Sequence, residues 1–65
     1  MFESIMTVTL NGWTITEVPE SYAKYPFMVI IPDGDEMRYY GGFRKEQSAI
    51  ECAHEVGGVV VPTAE

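Results

Sequence analysis

This chain predicts an α+β domain: a small, mostly antiparallel sheet of four to five strands with one helix packed on one face (β-β-β-β-α-β). Three observations carry that expectation. Asn11-Gly12 lies between two short runs in which apolar and polar residues alternate. Helical periodicity is confined to the stretch 44–56. A glycine pair then leads from that stretch straight into Val59-Val60-Val61.

The first hairpin is the strongest local signal. Asn-Gly suits a two-residue type I′ turn, because both central positions need positive φ. Pairing outward from it joins Leu10 with Trp13, Thr9 with Thr14, Val8 with Ile15 and Thr7 with Thr16. In this register Val8, Leu10, Trp13 and Ile15 share one face and the threonines share the other. A slip by one residue would mix the two sets, so the pattern specifies the register. The apolar face is expected inward and the threonine face wet.

Pro19 to Pro26 is bracketed by prolines and reads as a connection, neither helix nor central strand. Phe27-Met28-Val29-Ile30-Ile31 is a continuous apolar run, as in a strand covered on both faces or central in its sheet. Pro32-Asp33-Gly34 reads as a tight turn. Met37-Arg38-Tyr39-Tyr40 returns as the partner strand, with Met37 and Tyr39 on one face and Arg38 and Tyr40 on the other. Gly41-Gly42 is expected to break it.

The helix is expected to begin near Arg44 or Lys45, with no Ser, Thr, Asp or Asn to cap it. Two bases at that end oppose the macrodipole and Glu46 partly offsets them. Ala49, Cys52, Ala53 and Val56 follow the i, i+3, i+4, i+7 pattern, with Ile50 flanking. These small side chains let the helix lie close on the sheet. Gly57 or Gly58 supplies the left-handed stop. Val59-Val60-Val61 forms the last strand, ended by Pro62. It either pairs in the middle of the sheet, parallel to a neighbour through the helix crossover, or stands at an edge open to another chain. The tail from Thr63 to Glu65 is expected to fray.

Sixty-five residues make a single domain, 1–65, and a chain this short buries only about 60% of its unfolded surface. Cys52 is the sole cysteine, so no disulfide can form within the chain, and a lone thiol suits a reducing compartment. A partner or a second copy is a reasonable source of stability. The start, Met1-Phe2-Glu3-Ser4-Ile5-Met6, has an acid and no basic region, unlike a signal peptide, and no apolar run is long enough to span a bilayer. A cytoplasmic protein with no membrane partner is the expectation. Ten acids against four bases give a net charge of −6, which argues against direct nucleic-acid binding.

Candidate chemistry is sparse. Cys52 and His54 are two apart on the helix and point to different sides, so they cannot form a dyad or share a metal. Glu51 and Glu55 share a face, but no zinc spacing accompanies them. Neither Gly41-Gly42 nor Gly57-Gly58 fits a phosphate-loop spacing. No catalytic role, cofactor or metal is expected. Trp13 and Phe27 are expected in the core. Tyr22, Tyr25, Tyr39 and Tyr40 are too many for so small a core, and with Lys24, Arg38 and Arg44 near them in sequence they suggest an interface patch. Asp33, Asp35 and Glu36 form a small acidic cluster suited to steering a basic partner.

In size, acidity and layout the chain resembles the small accessory proteins encoded by phages and prophages. That resemblance covers the whole chain as an outline and no residue is carried over from it. It implies inhibition of a host protein that handles nucleic acid, of the RNA-polymerase, CRISPR-effector or DNA-repair type, in the host cytoplasm. The expected function is therefore a non-enzymatic protein-interaction module. Its expected partner-binding residues are Asp33, Asp35, Glu36, Tyr22, Tyr25, Arg38 and Tyr40. The alternative is a structural homo-oligomer or small accessory subunit assembled through an edge strand.

Overall fold

A computed structural model describes residues 4–63. The expectations for Met1 to Glu3, and for Ala64 and Glu65, lie outside the described residues. Within them run β1 (Ile5–Leu10), β2 (Trp13–Pro19), a 3₁₀ turn (Glu20–Lys24), β3 (Phe27–Asp33), β4 (Glu36–Phe43), α1 (Glu46–Val56) and β5 (Val59–Pro62). The strands form one five-stranded sheet in the order β1-β2-β4-β3-β5. Its pairs are antiparallel except β2 with β4, which run parallel over Ile15–Met37 and Thr16–Arg38.

The first turn forms as its residues predict, with φ of 52° at Asn11 and 83° at Gly12. Leu10–Trp13, Thr9–Thr14 and Val8–Ile15 pair in the expected register. Thr7 and Thr16 do not pair. The register shifts there, and Met6 lies opposite Val18. Two residues of β2, Thr16 and Glu17, therefore face the single residue Thr7. Glu17 absorbs the extra length by adopting a left-handed φ of 56°. The bulge re-aims the rest of β2, so Ile15 and Val18, three apart, are both fully buried in the same cluster.

β3 is shared by both core clusters. β4 and β5 flank it, and Met28, Val29 and Ile30 are all fully buried. On one face Met28 and Ile30 pack with Leu10, Ile15, Val18 and Val61. On the other, Val29 packs with Ala49 and Ala53 of α1, with Phe27, Phe43, Cys52, Val56 and Val60 around them. Each fully buried aliphatic side chain contributes about 1.5–3 kcal/mol, and β3 supplies side chains to both clusters. Leu10 of one edge strand and Val61 of the other share a cluster, and Asn11 Nδ2 donates to the Pro62 carbonyl at 3.3 Å. The sheet thus curls until its edges approach at that corner.

The helix starts after Lys45, which makes no side-chain cap, and ends at Gly57, where φ is 71°. Gly58 N–H donates to the Ala53 carbonyl at 2.8 Å, the six-to-one bond of a Schellman-type stop, and Gly57 N–H donates to the same carbonyl. Ile50, which flanks the apolar face, is exposed.

Of the two placements expected for Val59-Val60-Val61 the edge is the one found, antiparallel to β3. Several other expectations are corrected. The helix crossover does join two parallel strands, β4 and β5, but β3 lies between them, antiparallel to both. Gly41-Gly42 does not end β4, which continues to Phe43. The irregularity is instead a bulge at Tyr40, since Ile30 pairs with Tyr39 and Val29 with Gly41. Pro32 sits inside β3, and the turn is Gly34-Asp35. β5 pairs with β3 only as far as Ile30, so a missing N–H at Pro32 is tolerated on a free edge. Trp13 is 37% exposed, not core, because it lies beyond the last β2–β4 pair at the hairpin tip. Phe27 is half-buried under the helix. The Pro19–Pro26 connection contains a short 3₁₀ turn, which a proline at its N-cap permits. Thr63 is tied down, its N–H donating to the Pro26 carbonyl at 3.0 Å and its hydroxyl to the Tyr25 carbonyl.

Candidate interaction face

The helix covers β3, β5 and part of β4, and leaves the β1–β2–β4 side of the same sheet face open. Strand alternation defines what that open half carries. Val29 faces the helix, so Ile31, two residues on, points to the same side. Arg38 lies opposite Ile31, and Thr16 lies beside Arg38 on the parallel strand. Ile31, Arg38 and Thr16 therefore form one row across three strands. Thr16 Oγ1 donates to the Met37 carbonyl at 3.3 Å, holding β2 to β4.

A shallow, open concavity of about 390 Å³ lies here, lined by Ile5, Glu17, Ile31, Arg38, Tyr39 and Tyr40. Ile5 is 66% exposed and Tyr40 is 51% exposed. Arg38 Nε lies 3.8 Å from Glu17 Oε2, with the two side chains 44% and 59% exposed. An ion pair so long and so wet contributes about 0–1 kcal/mol, so Arg38 can exchange Glu17 for another acceptor cheaply. Both bulges border this face. One places Glu17 beside Arg38, and the other turns Tyr40 outward.

The expected partner-binding residues are not brought together. Arg38 and Tyr40 share the open face. Asp33, Asp35 and Glu36 are all exposed at the β3–β4 turn, where Gly34 takes the one positive φ, 67°. Tyr25 lies by the other end of that hairpin, about 20 Å away at the rise of a strand. Its ring rests on Gly42, where an added Cβ would come within 2.7 Å of a ring carbon, and the Arg44 guanidinium lies 5.6 Å from its centroid. Tyr22 packs against the cluster on the opposite side of the sheet from the helix. Lengths of strand and the two-sided sheet thus divide the anticipated patch into separate places.

Ile5, Glu17 and Ile31 belong to the open face and were not anticipated there. One signal was readable. Ile15 and Val18 are three apart inside a strand pattern, which only a bulge can put on one face. Outside this region, Ile50, Glu51, His54 and Glu55 border a second shallow hollow on the outer side of the helix. Gln47 Nε2 donates to Glu51 Oε2 there at 3.1 Å. Cys52 packs toward the sheet, half-buried, while His54 is exposed. Among the described residues no three His, Cys, Asp or Glu side chains gather as metal ligands, and no helix is long and apolar enough to cross a membrane.

Comparison with protein-family models, with curated proteins and with solved structures finds no match to this chain.

Proposed function

We propose that this chain is a non-enzymatic protein-binding module whose contact surface is the open β1–β2–β4 face. The observation that carries the reading is the placement of exposed Tyr40 and Ile5 around an Arg38 held only by a weak surface pair. Aromatic and arginine side chains beside exposed aliphatics are what interface centres are made of. The acidic turn at Asp33, Asp35 and Glu36 lies on the same hairpin as Arg38 and Tyr40 and acts at longer range. With a net charge of −6 it steers the module toward a basic surface, such as the groove of a protein that handles nucleic acid. Occupying such a groove inhibits its owner, as a small phage accessory protein does to a host enzyme.

Affinity capture from a cell lysate with immobilised wild type and two variants tests this. Wild type retains a discrete partner. R38A/Y40A loses it at all salt concentrations, and D33K/D35K/E36K loses mainly its salt-sensitive part. Retention of the same partner by R38A/Y40A at undiminished affinity overturns the assignment of the face.

A further inference from the structure

We propose that β1 pairs antiparallel with β1 of a second copy of this chain, about a two-fold axis through Thr7, joining two five-stranded sheets into one. Among the described residues β1 is an edge strand with only β2 beside it. Its hydrogen bonding is set at both ends. Glu20 N–H donates to the Ser4 carbonyl at 2.9 Å, which makes Ile5–Pro19 a non-hydrogen-bonded pair, with Ile5 N–H and C=O turned away from β2. At the other end a two-residue turn makes Leu10–Trp13 a hydrogen-bonded pair, so the same groups of Thr9 point outward. The extra bulge residue belongs to β2, so β1 alternates without interruption and Thr7 also points outward. Ile5, Thr7 and Thr9 therefore present a ladder with no partner among the described residues.

That ladder is symmetric about Thr7, and the symmetry selects the occupant. Antiparallel pairing of two β1 strands centred there sets Thr7 against Thr7 and Ile5 against Thr9 in both directions. Each of these three pairs exchanges two N–H···O bonds, and no other self-pairing register uses all the outward groups. Met6, 38% exposed, then meets Val8 of the second copy on the inner face. Charge supports the same choice. Ile5–Leu10 carries no charged residue in a chain of net charge −6, so two copies meet along a stretch free of like charge. Lysine, proline and an edge bulge, the usual guards of an exposed strand, are all missing from β1. The other edge is less available. β5 has four residues, ends at Pro62 and has its Pro62 carbonyl occupied by Asn11. No ladder joins β1 to β5.

Sedimentation velocity and light scattering of wild type, T7P and T7K, from micromolar to millimolar chain, test the pairing. The wild type is expected to dimerise reversibly. T7P removes the N–H at the axis without touching a β1–β2 bond, and T7K sets two ammonium groups face to face across the axis. Both are expected to raise the dimer dissociation constant about tenfold or more, with unchanged far-UV circular dichroism. T7K lowers the net charge from −6 to −5, so general repulsion would move the result the other way. Should T7P fail to fold, T7K alone decides. A wild type that stays at 7.3 kDa throughout, or a dimer undiminished by T7K, overturns the proposal. The inference does not rest on the protein-binding reading: a monomer that still captures a partner through Arg38 and Tyr40 overturns this pairing alone.

Discussion

Replacing Gly58 by alanine isolates the contact that seats the helix end on β3. An added Cβ would lie 2.5 Å from the Ile30 backbone oxygen, 3.1 Å from a Val29 methyl and 3.2 Å from an Ile31 methyl. The oxygen belongs to β3, which is paired on both sides at Ile30, so it cannot yield as a side-chain tip would. Gly58 is also held on the helix side by its own hydrogen bond to Ala53. Backbone must therefore shift, which costs about 1–3 kcal/mol, while the loss of glycine freedom in the unfolded chain returns about 0.4–1. A net loss of about 1–2 kcal/mol is expected, against a total of about 3–10 kcal/mol for a domain of this length. Urea denaturation followed by Trp13 fluorescence reads it. With a slope of about 1 kcal/mol/M, the midpoint falls by about 1–2 M. Gly57 is the control: its φ is 71° and nothing lies within 4 Å of its added Cβ. Its penalty is conformational, so Gly57→Asn is tolerated better than Gly57→Ala, since asparagine visits that region readily. Gly58→Asn gains no such relief. A Gly58→Ala variant as stable as wild type refutes the close-approach argument.

Asn11→Ala loses both a left-handed turn residue and the bond to the Pro62 carbonyl, and should lower stability by about 1–2 kcal/mol in thermal unfolding; no change would mean that corner does not hold the two sheet edges together. Gly42→Ala should cost about 1–3 kcal/mol by displacing the Tyr25 ring, and the cost should largely vanish in a Tyr25→Ala background. Additive losses in that double-mutant cycle would rule out the ring as the obstacle.

Much of the local structure was legible because its causes are local. Asn11-Gly12 demands a type I′ turn, and the four small or apolar positions from Ala49 to Val56 demand a helix lying close to a surface. The unbroken run Phe27 to Ile31 announced a strand covered on both faces, and β3 is that strand. The two bulges were not anticipated: the spacing of Ile15 and Val18 implies the first, but nothing in Glu17 itself marks it as the residue with a left-handed φ. Gly41-Gly42 read as a stop because glycine weakens strands. Here Gly42 continues one, because the Tyr25 ring needs the space a side chain would fill. The anticipated tyrosines are divided between separate places for a related reason. Nearness in sequence says nothing about which face of a curled sheet, or which end of a hairpin, a residue occupies.

Turn geometry, helix position and the two-sided burial of β3 follow from residue patterns a few positions long. Strand order does not, because β4 and β5 could each have claimed several neighbours at equal local cost. Packing decided it: one helix is wide enough to cover only part of the sheet, so the hairpin had to curl under β3 to close the other cluster. That partition left β1 as a bare edge and set Arg38 beside Tyr40 in the open, and both consequences depend on contacts between residues far apart in the chain.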